Sequence, residues 1–176
     1  MRSASGFSQI RFNRGDMANA ELDDRGIVVA CGECGQNNRL AYARLGDTVR
    51  CGQCKGTLSA PSLPIEITST VDFDRLIATS SIPVVADYWA PWCGPCRMVA
   101  PELAKVAART AGRFLIVKVN TDLLSDLGER FAIRSIPTMA VFAGGREVAR
   151  TSGARPAADI EAFIEQAASA VRHEGR

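Results

Sequence analysis

Long apolar runs are missing from this chain. None approaches the roughly 20 residues that a bilayer-spanning helix needs, so the sequence reads as having no membrane segment. Charge of one sign is scarce as well. The formal net charge is +2, too small to argue for nucleic acid or an anionic surface as partner. Even that excess is local, because Arg2, Arg11 and Arg14 against Asp16 account for it and the remainder is balanced. Histidine occurs once, as His173, where it reads as a solvated tail residue. No internal repeat is visible. What is there is 176 residues with 47% hydrophobic side chains, enough for one ordinary packed domain and a small second one.

The first sixteen residues, MRSASGFSQIRFNRGD, hold no continuous apolar stretch and do not read as a secretory signal. Arginine and serine without an acid before Asp16 fit an organellar transit peptide. The same residues fit a disordered tail, or an upstream start codon with Met17 as the true beginning, and the preferred reading is a tail over residues 1–26. The expected compartment is then the cytoplasm. It is reducing, and six cysteines there point to metal or catalysis rather than to structural bridges.

Two of the six sit in Trp92-Cys93-Gly94-Pro95-Cys96. The preceding run, Pro83 to Ala90, is apolar and β-branched enough for a buried strand, interrupted by the single acid Asp87. Arg97-Met98-Val99 then opens a helical stretch. The i, i+3 spacing puts both sulfurs on one side of a first helical turn, close enough for a Cys93–Cys96 disulfide. The free amides and positive end of the helix favour a thiolate at Cys93. Pro95 falls where a helix tolerates proline, and Gly94 leaves the approach to Cys93 open. Burial of Asp87 would disfavour its ionised form and raise its pKa; a strand-end acid turned to solvent is the alternative.

The other four are Cys31-Gly32-Glu33-Cys34 and, sixteen residues later, Cys51-Gly52-Gln53-Cys54. Paired Cys-x-x-Cys turns at this separation are a tetrahedral zinc signal, each turn aiming two sulfurs at one point. Iron in a four-thiolate site and a pair of disulfides are the alternatives; the expected strands Ile27–Val29 and Thr48–Arg50 favour a zinc ribbon over residues 27–59. So small a module has little core, so one structural zinc ion would supply much of its stability. Residues 60–64 (Ala-Pro-Ser-Leu-Pro) read as a stiff linker.

From Ile65 the elements alternate as in an α/β fold. Ile65–Ile67 reads as a strand, and Phe73, Leu76 and Ile77 mark a helical face. After the Val84–Ala90 strand, Met98, Val99, Leu103 and Val106 mark the buried side of a helix that Pro101 should kink. Phe114–Asn120 alternates as a strand, and Leu123, Leu124, Leu127 and Phe131 suggest another helix. Met139–Phe142 and Glu147–Thr151 read as a hairpin across Gly144-Gly145. A last helix from about Pro156 to Val171 buries Ile160, Phe163, Ile164 and Ala167.

The pentapeptide with its flanking strand and helix resembles the thioredoxin family, and the joined cysteine ribbon resembles the zinc-containing thioredoxin 2 group. The resemblance implies a thioredoxin fold, a central mixed sheet flanked by helices, over residues 65–172 behind the ribbon. It implies a protein-disulfide reductase in which Cys93 attacks as an exposed thiolate, Cys96 resolves, and Asp87 accepts the Cys96 proton beside Lys118. Taken alone, Lys118 would read as a solvated strand residue. Ile136 and Pro137 match the family's cis-proline segment, and Gly153 a glycine of the same surface; with Gly94, Pro95 and Trp92 they form the implied client-binding surface. Trp89 and Trp92 could be plain core residues, but Trp92 beside a substrate-facing sulfur reads as part of a docking surface. Ser135 departs from the glycine common before Ile-Pro-Thr, and Tyr88 replaces a common phenylalanine, a change expected to be neutral. Gly-Pro between the cysteines resembles reducing members. The implied partners are thioredoxin reductase, which uses NADPH, and disulfide-containing clients; the chain itself needs no organic cofactor, and a monomer is expected. Two other readings stand beside this one: a chaperone-like or partner-recruiting ribbon with the second domain as scaffold, and a metal site acting as a redox sensor.

Overall fold

The computed structural model describes residues 20–174. The readings of residues 1–16 and of the His173 side chain lie outside the described residues. Three short strands come first: β1 (Glu21–Asp23), β2 (Gly26–Ala30) and β3 (Asn37–Ala41), an antiparallel sheet in the order β1-β2-β3. Residues 20–26 therefore correct the expected tail over 1–26, because Glu21–Asp23 pair with Gly26–Val28 across a tight turn whose amides bond the Asp23 carboxylate. Thr48–Arg50 corrects the expected ribbon strand. An isolated Arg50–Thr57 bridge forms there; the strands that pair with β2 are β1 and the polar β3, whose composition carries no strand signal. Gly26 is required where it stands, since a Cβ would meet the Leu40 carbonyl oxygen at 2.3 Å.

The second sheet has the order β4-β6-β5-β7-β8. Its elements, in chain order, are β4 (Ile65–Ile67), α1 (Thr70–Thr79), β5 (Val84–Trp89), α2 (Gly94–Thr110), β6 (Leu115–Asn120), α3 (Ser125–Arg130), β7 (Thr138–Ala143), β8 (Arg146–Ser152) and α4 (Ala157–Glu174). β4, β6 and β5 run parallel, while β7 lies antiparallel to β5 and β8 antiparallel to β7. The central strands are apolar on both faces because both are covered. α1 begins at Ser69, whose side chain accepts from the Asp72 amide, an ordinary N-cap. No helix among the described residues is long and apolar enough to cross a membrane.

Strand alternation divides the interior in two. Val84, Ala86 and Tyr88 of β5 face one cluster, with Phe73, Leu76, Leu127 and Phe142. Val85 faces the other, with Val99 and Leu103 of α2 and Ile160 and Ile164 of α4. The N-terminal module joins the first: Ile27, Val29, Leu40, Tyr42, Leu45 and Leu58 belong to one continuous core with β4 and α1. The Ser81 amide donates to the Tyr42 carbonyl at 3.0 Å, and Arg75 bonds the Asp24 carbonyl at 2.8 Å. The module is thus packed on the larger domain, whose core supplies apolar cover that the sequence reading does not count. Met98 is also a correction, being 71% exposed, since α2 turns Cys96, Val99 and Leu103 inward instead. Leu123 lies before α3 and is exposed, Leu124 is its N-cap, and Phe163 is half-buried.

Candidate active site and metal centre

β5 ends at Trp89 and the chain turns into α2 at Cys93, the helix N-cap. The Cys93 sulfur takes the place of a capping oxygen and accepts the Cys96 amide at 3.2 Å. Pro95 occupies the first turn, where its missing N–H costs no hydrogen bond. Cys93 and Cys96 are joined in a disulfide with Cα atoms 5.3 Å apart. Cys93 is not exposed: in this disulfide form it is 3% accessible, and the Ile136 carbonyl oxygen lies 3.8 Å from its sulfur. A Cβ on Gly94 would meet nothing within 4 Å, so the approach over the turn stays free.

The rim is built from several elements. The Ile136–Pro137 peptide is cis, and the Pro137 carbonyl accepts the Gly153 amide at 2.8 Å. Gly153 has φ +93° with open space beside it, a backbone that glycine adopts without strain. Trp92 is 69% exposed, and its indole N–H donates to the Asp122 carboxylate at 3.1 and 3.2 Å. Trp92, Ile133, Ser135 and Ile136 line a groove of about 770 Å³ beside the disulfide. The structure thus brings together Trp92, Cys93, Cys96, Ile136, Pro137 and Gly153. Asp122, which fixes the indole, carried no sequence signal.

Asp87 shares the α2-side face of β5 with Val85 and is 1% exposed. Its Oδ1 has no hydrogen-bond partner among the described residues. Burial pushes the carboxyl up to about 7; the Lys118 charge opposes this and the Glu66 charge adds to it. Strand register aligns Asp87 with Lys118 of β6, and Lys118 with Glu66 of β4. The Lys118 ammonium is nonetheless bonded to Glu66 at 3.2 Å and sits 3.8 Å over the Trp89 ring. The Trp89 N–H donates to the other Glu66 oxygen at 2.8 Å. Glu66 was read only as a strand residue; its partners become visible once the strand order is known.

The four ribbon cysteines converge 17 to 23 residues apart in sequence, with Cys31 and Cys51 buried and Cys34 and Cys54 exposed. All four sulfurs lie within 4.8 Å of one another. The close pairs cross between the turns, Cys31–Cys54 at 3.6 Å and Cys34–Cys51 at 3.7 Å. A tetrahedral ion with bonds of about 2.3 Å to sulfur needs edges of about 3.8 Å; disulfides need about 2.05 Å. The set therefore fits a metal. Amides of Cys54 and Gln53 and the Asn38 side chain draw the Cys51 thiol down to about 6. The Gly56 amide favours ionisation of Cys54, yet crowding by Cys34, Cys31 and Cys51 pushes that thiol up. Four thiolates so close together call for a cation.

The thioredoxin family profile matches residues 64–166. This chain belongs to the thioredoxin family. It is 36% identical over 140 residues to thioredoxin C-3 of Corynebacterium nephridii, covering 80% of this chain and 94% of the relative. It is 43% identical over 95 residues to a thioredoxin of Haemophilus influenzae, covering 54% and 89%. A mutant thioredoxin from Halobacterium salinarum superposes with TM-score 0.56 at 28% identity, covering 62% of this chain and 94% of that one. The protein is a thiol-disulfide oxidoreductase with Cys93 and Cys96 at the active-site position. The family implies thioredoxin reductase and disulfide-containing proteins as its partners.

Proposed function

We infer that this thioredoxin is a zinc-ribbon reductase of client disulfides, of the thioredoxin 2 type. The observation that carries the reading is one chain holding both a capped Cys93–Cys96 pair and four converging thiols. In the reduced form the Cys93 thiolate attacks a client disulfide; one client sulfur leaves as thiolate and the other bonds Cys93. Cys96 then gives its proton to the Asp87 carboxylate and its sulfur attacks Cys93. The Cys93–client bond breaks, the Cys93–Cys96 bond forms, and the departing client thiolate takes up a proton. The dithiol is restored by thioredoxin reductase with NADPH, and this chain carries no organic cofactor.

Trp92, Gly94, Pro95, Ile136, Pro137 and Gly153 hold the client, whose extended backbone meets the Ile136–Pro137 segment. Cys31, Cys34, Cys51 and Cys54 hold one structural zinc ion, with Asn38 bonded to Cys51 at 3.5 Å as support. The protein acts as a monomer in the cytoplasm. Trapping tests the division of roles. Cys96→Ser should hold an oxidised client as a stable adduct seen by mass spectrometry, and Cys93→Ser should hold none. The reverse pattern would invert the assignment.

A further inference from the structure

Lys118 faces two carboxylates across the parallel strands, Asp87 on β5 and Glu66 on β4, and its ammonium is committed to Glu66. The commitment has a frame. Glu66 uses one oxygen on the Trp89 N–H at 2.8 Å and the other on Lys118 at 3.2 Å, and the ammonium lies 3.8 Å above the same indole ring. Cation–π contact and ion pair act on one cation from two sides. Across β5, Asp87 is left with an unpartnered oxygen at 1% exposure. The network opens on a cleft of about 670 Å³ between the N-terminal module and the sheet, lined by Leu22, Pro61, Leu63, Ala100, Glu66 and Lys118. Solvent thus reaches the Glu66–Lys118 pair while Asp87 stays enclosed.

We propose that Glu66 is a positioning residue for disulfide exchange: by holding Lys118 against Trp89 it keeps that cation from pairing with Asp87, and leaves the Asp87 carboxylate free for the Cys96 proton. The proposal rests on the reading of Asp87 as proton acceptor. The charged groups that act on Asp87 are Lys118 on β6 and Glu66 on β4, while β7 presents Met139 opposite it. Without Glu66, Lys118 turns to Asp87 and stabilises its ionised form. The carboxyl then titrates lower and is a weaker base.

The test uses the full-length reduced protein. The Asp87 carboxyl is followed by carbon NMR against pH, and the rate of Cys96 attack on a Cys93 mixed disulfide is followed over the same range. In Glu66→Gln the Asp87 midpoint and the acid limb of the rate should both fall by about one pH unit, with the far-ultraviolet circular dichroism unchanged. In a Lys118→Met background the same change should shift the midpoint much less. An unchanged midpoint in Glu66→Gln, or an equal shift with Lys118 absent, would overturn the proposal. Asp87→Asn separates the two readings. If it leaves the pH profile of resolution intact, the acceptor role fails; if it flattens the profile while Glu66→Gln does nothing, only the role of Glu66 fails.

Discussion

A carboxyl buried to 1% exposure with an unpartnered oxygen lowers stability whenever it is ionised. Asp87 titrates near 7 in the folded chain against an ordinary 3.8. Between these values the folded state holds a proton that the unfolded state has released. The contribution of Asp87 is therefore fully present below about pH 4 and is lost as pH rises through 7. Asp87→Asn should make the protein more stable than wild type at pH 8, on the order of a few kcal/mol at about 1.4 kcal/mol per pKa unit. The gain should vanish near pH 4, and client resolution should slow near neutral pH. Chemical denaturation at both pH values checks the first part; equal stabilities at pH 8 would contradict it. Tyr88 offers a second case. Its hydroxyl is buried without a partner among the described residues, which predicts a stability cost for the hydroxyl where the sequence reading expects none. Tyr88→Phe should raise stability by about 1 kcal/mol, read as a higher midpoint in urea.

At the scale of elements, the cysteine turns and the Trp92–Cys96 segment were legible because their chemistry is local: spacing, glycine and proline suffice. Asp87 was legible as the lone charge of an apolar strand. β1 and β3 were not, since Glu-Leu-Asp and Asn-Asn-Arg-Leu-Ala carry no strand pattern and gain theirs from pairing with β2. Glu66 was illegible for the same reason, its partners lying 23 and 52 residues away. Met98 shows the limit of periodicity, because helical spacing marks a stripe and the N-cap at Cys93 decides which neighbouring stripe turns inward. The ribbon yields its own prediction. Each of Cys31→Ser, Cys34→Ser, Cys51→Ser and Cys54→Ser should abolish stoichiometric zinc, measured on protein purified under reducing conditions. The buried positions, Cys31 and Cys51, should cost more stability than the exposed Cys34 and Cys54, because they also pack in the shared core. Zinc retained at full stoichiometry in these variants would refute the four-thiolate site.

On the scale of the whole molecule, the sheet separates two duties. One face, under α2 and α4, carries Asp87, Lys118 and Glu66; the other shares a continuous core with the N-terminal module, whose edge at Leu22 also lines the cleft at Glu66 and Lys118. A fragment of residues 60–176 keeps every element of the catalytic site. It loses apolar cover over β4 and α1, so it should reduce disulfides while unfolding at a lower temperature than the intact chain. The most direct test of the account is NADPH-coupled reduction of insulin by the intact protein in the presence of thioredoxin reductase. Catalytic oxidation of NADPH with insulin precipitation, abolished in Cys93→Ser, is the predicted result. Turnover no faster than reductase alone, or turnover that survives Cys93→Ser, would contradict it.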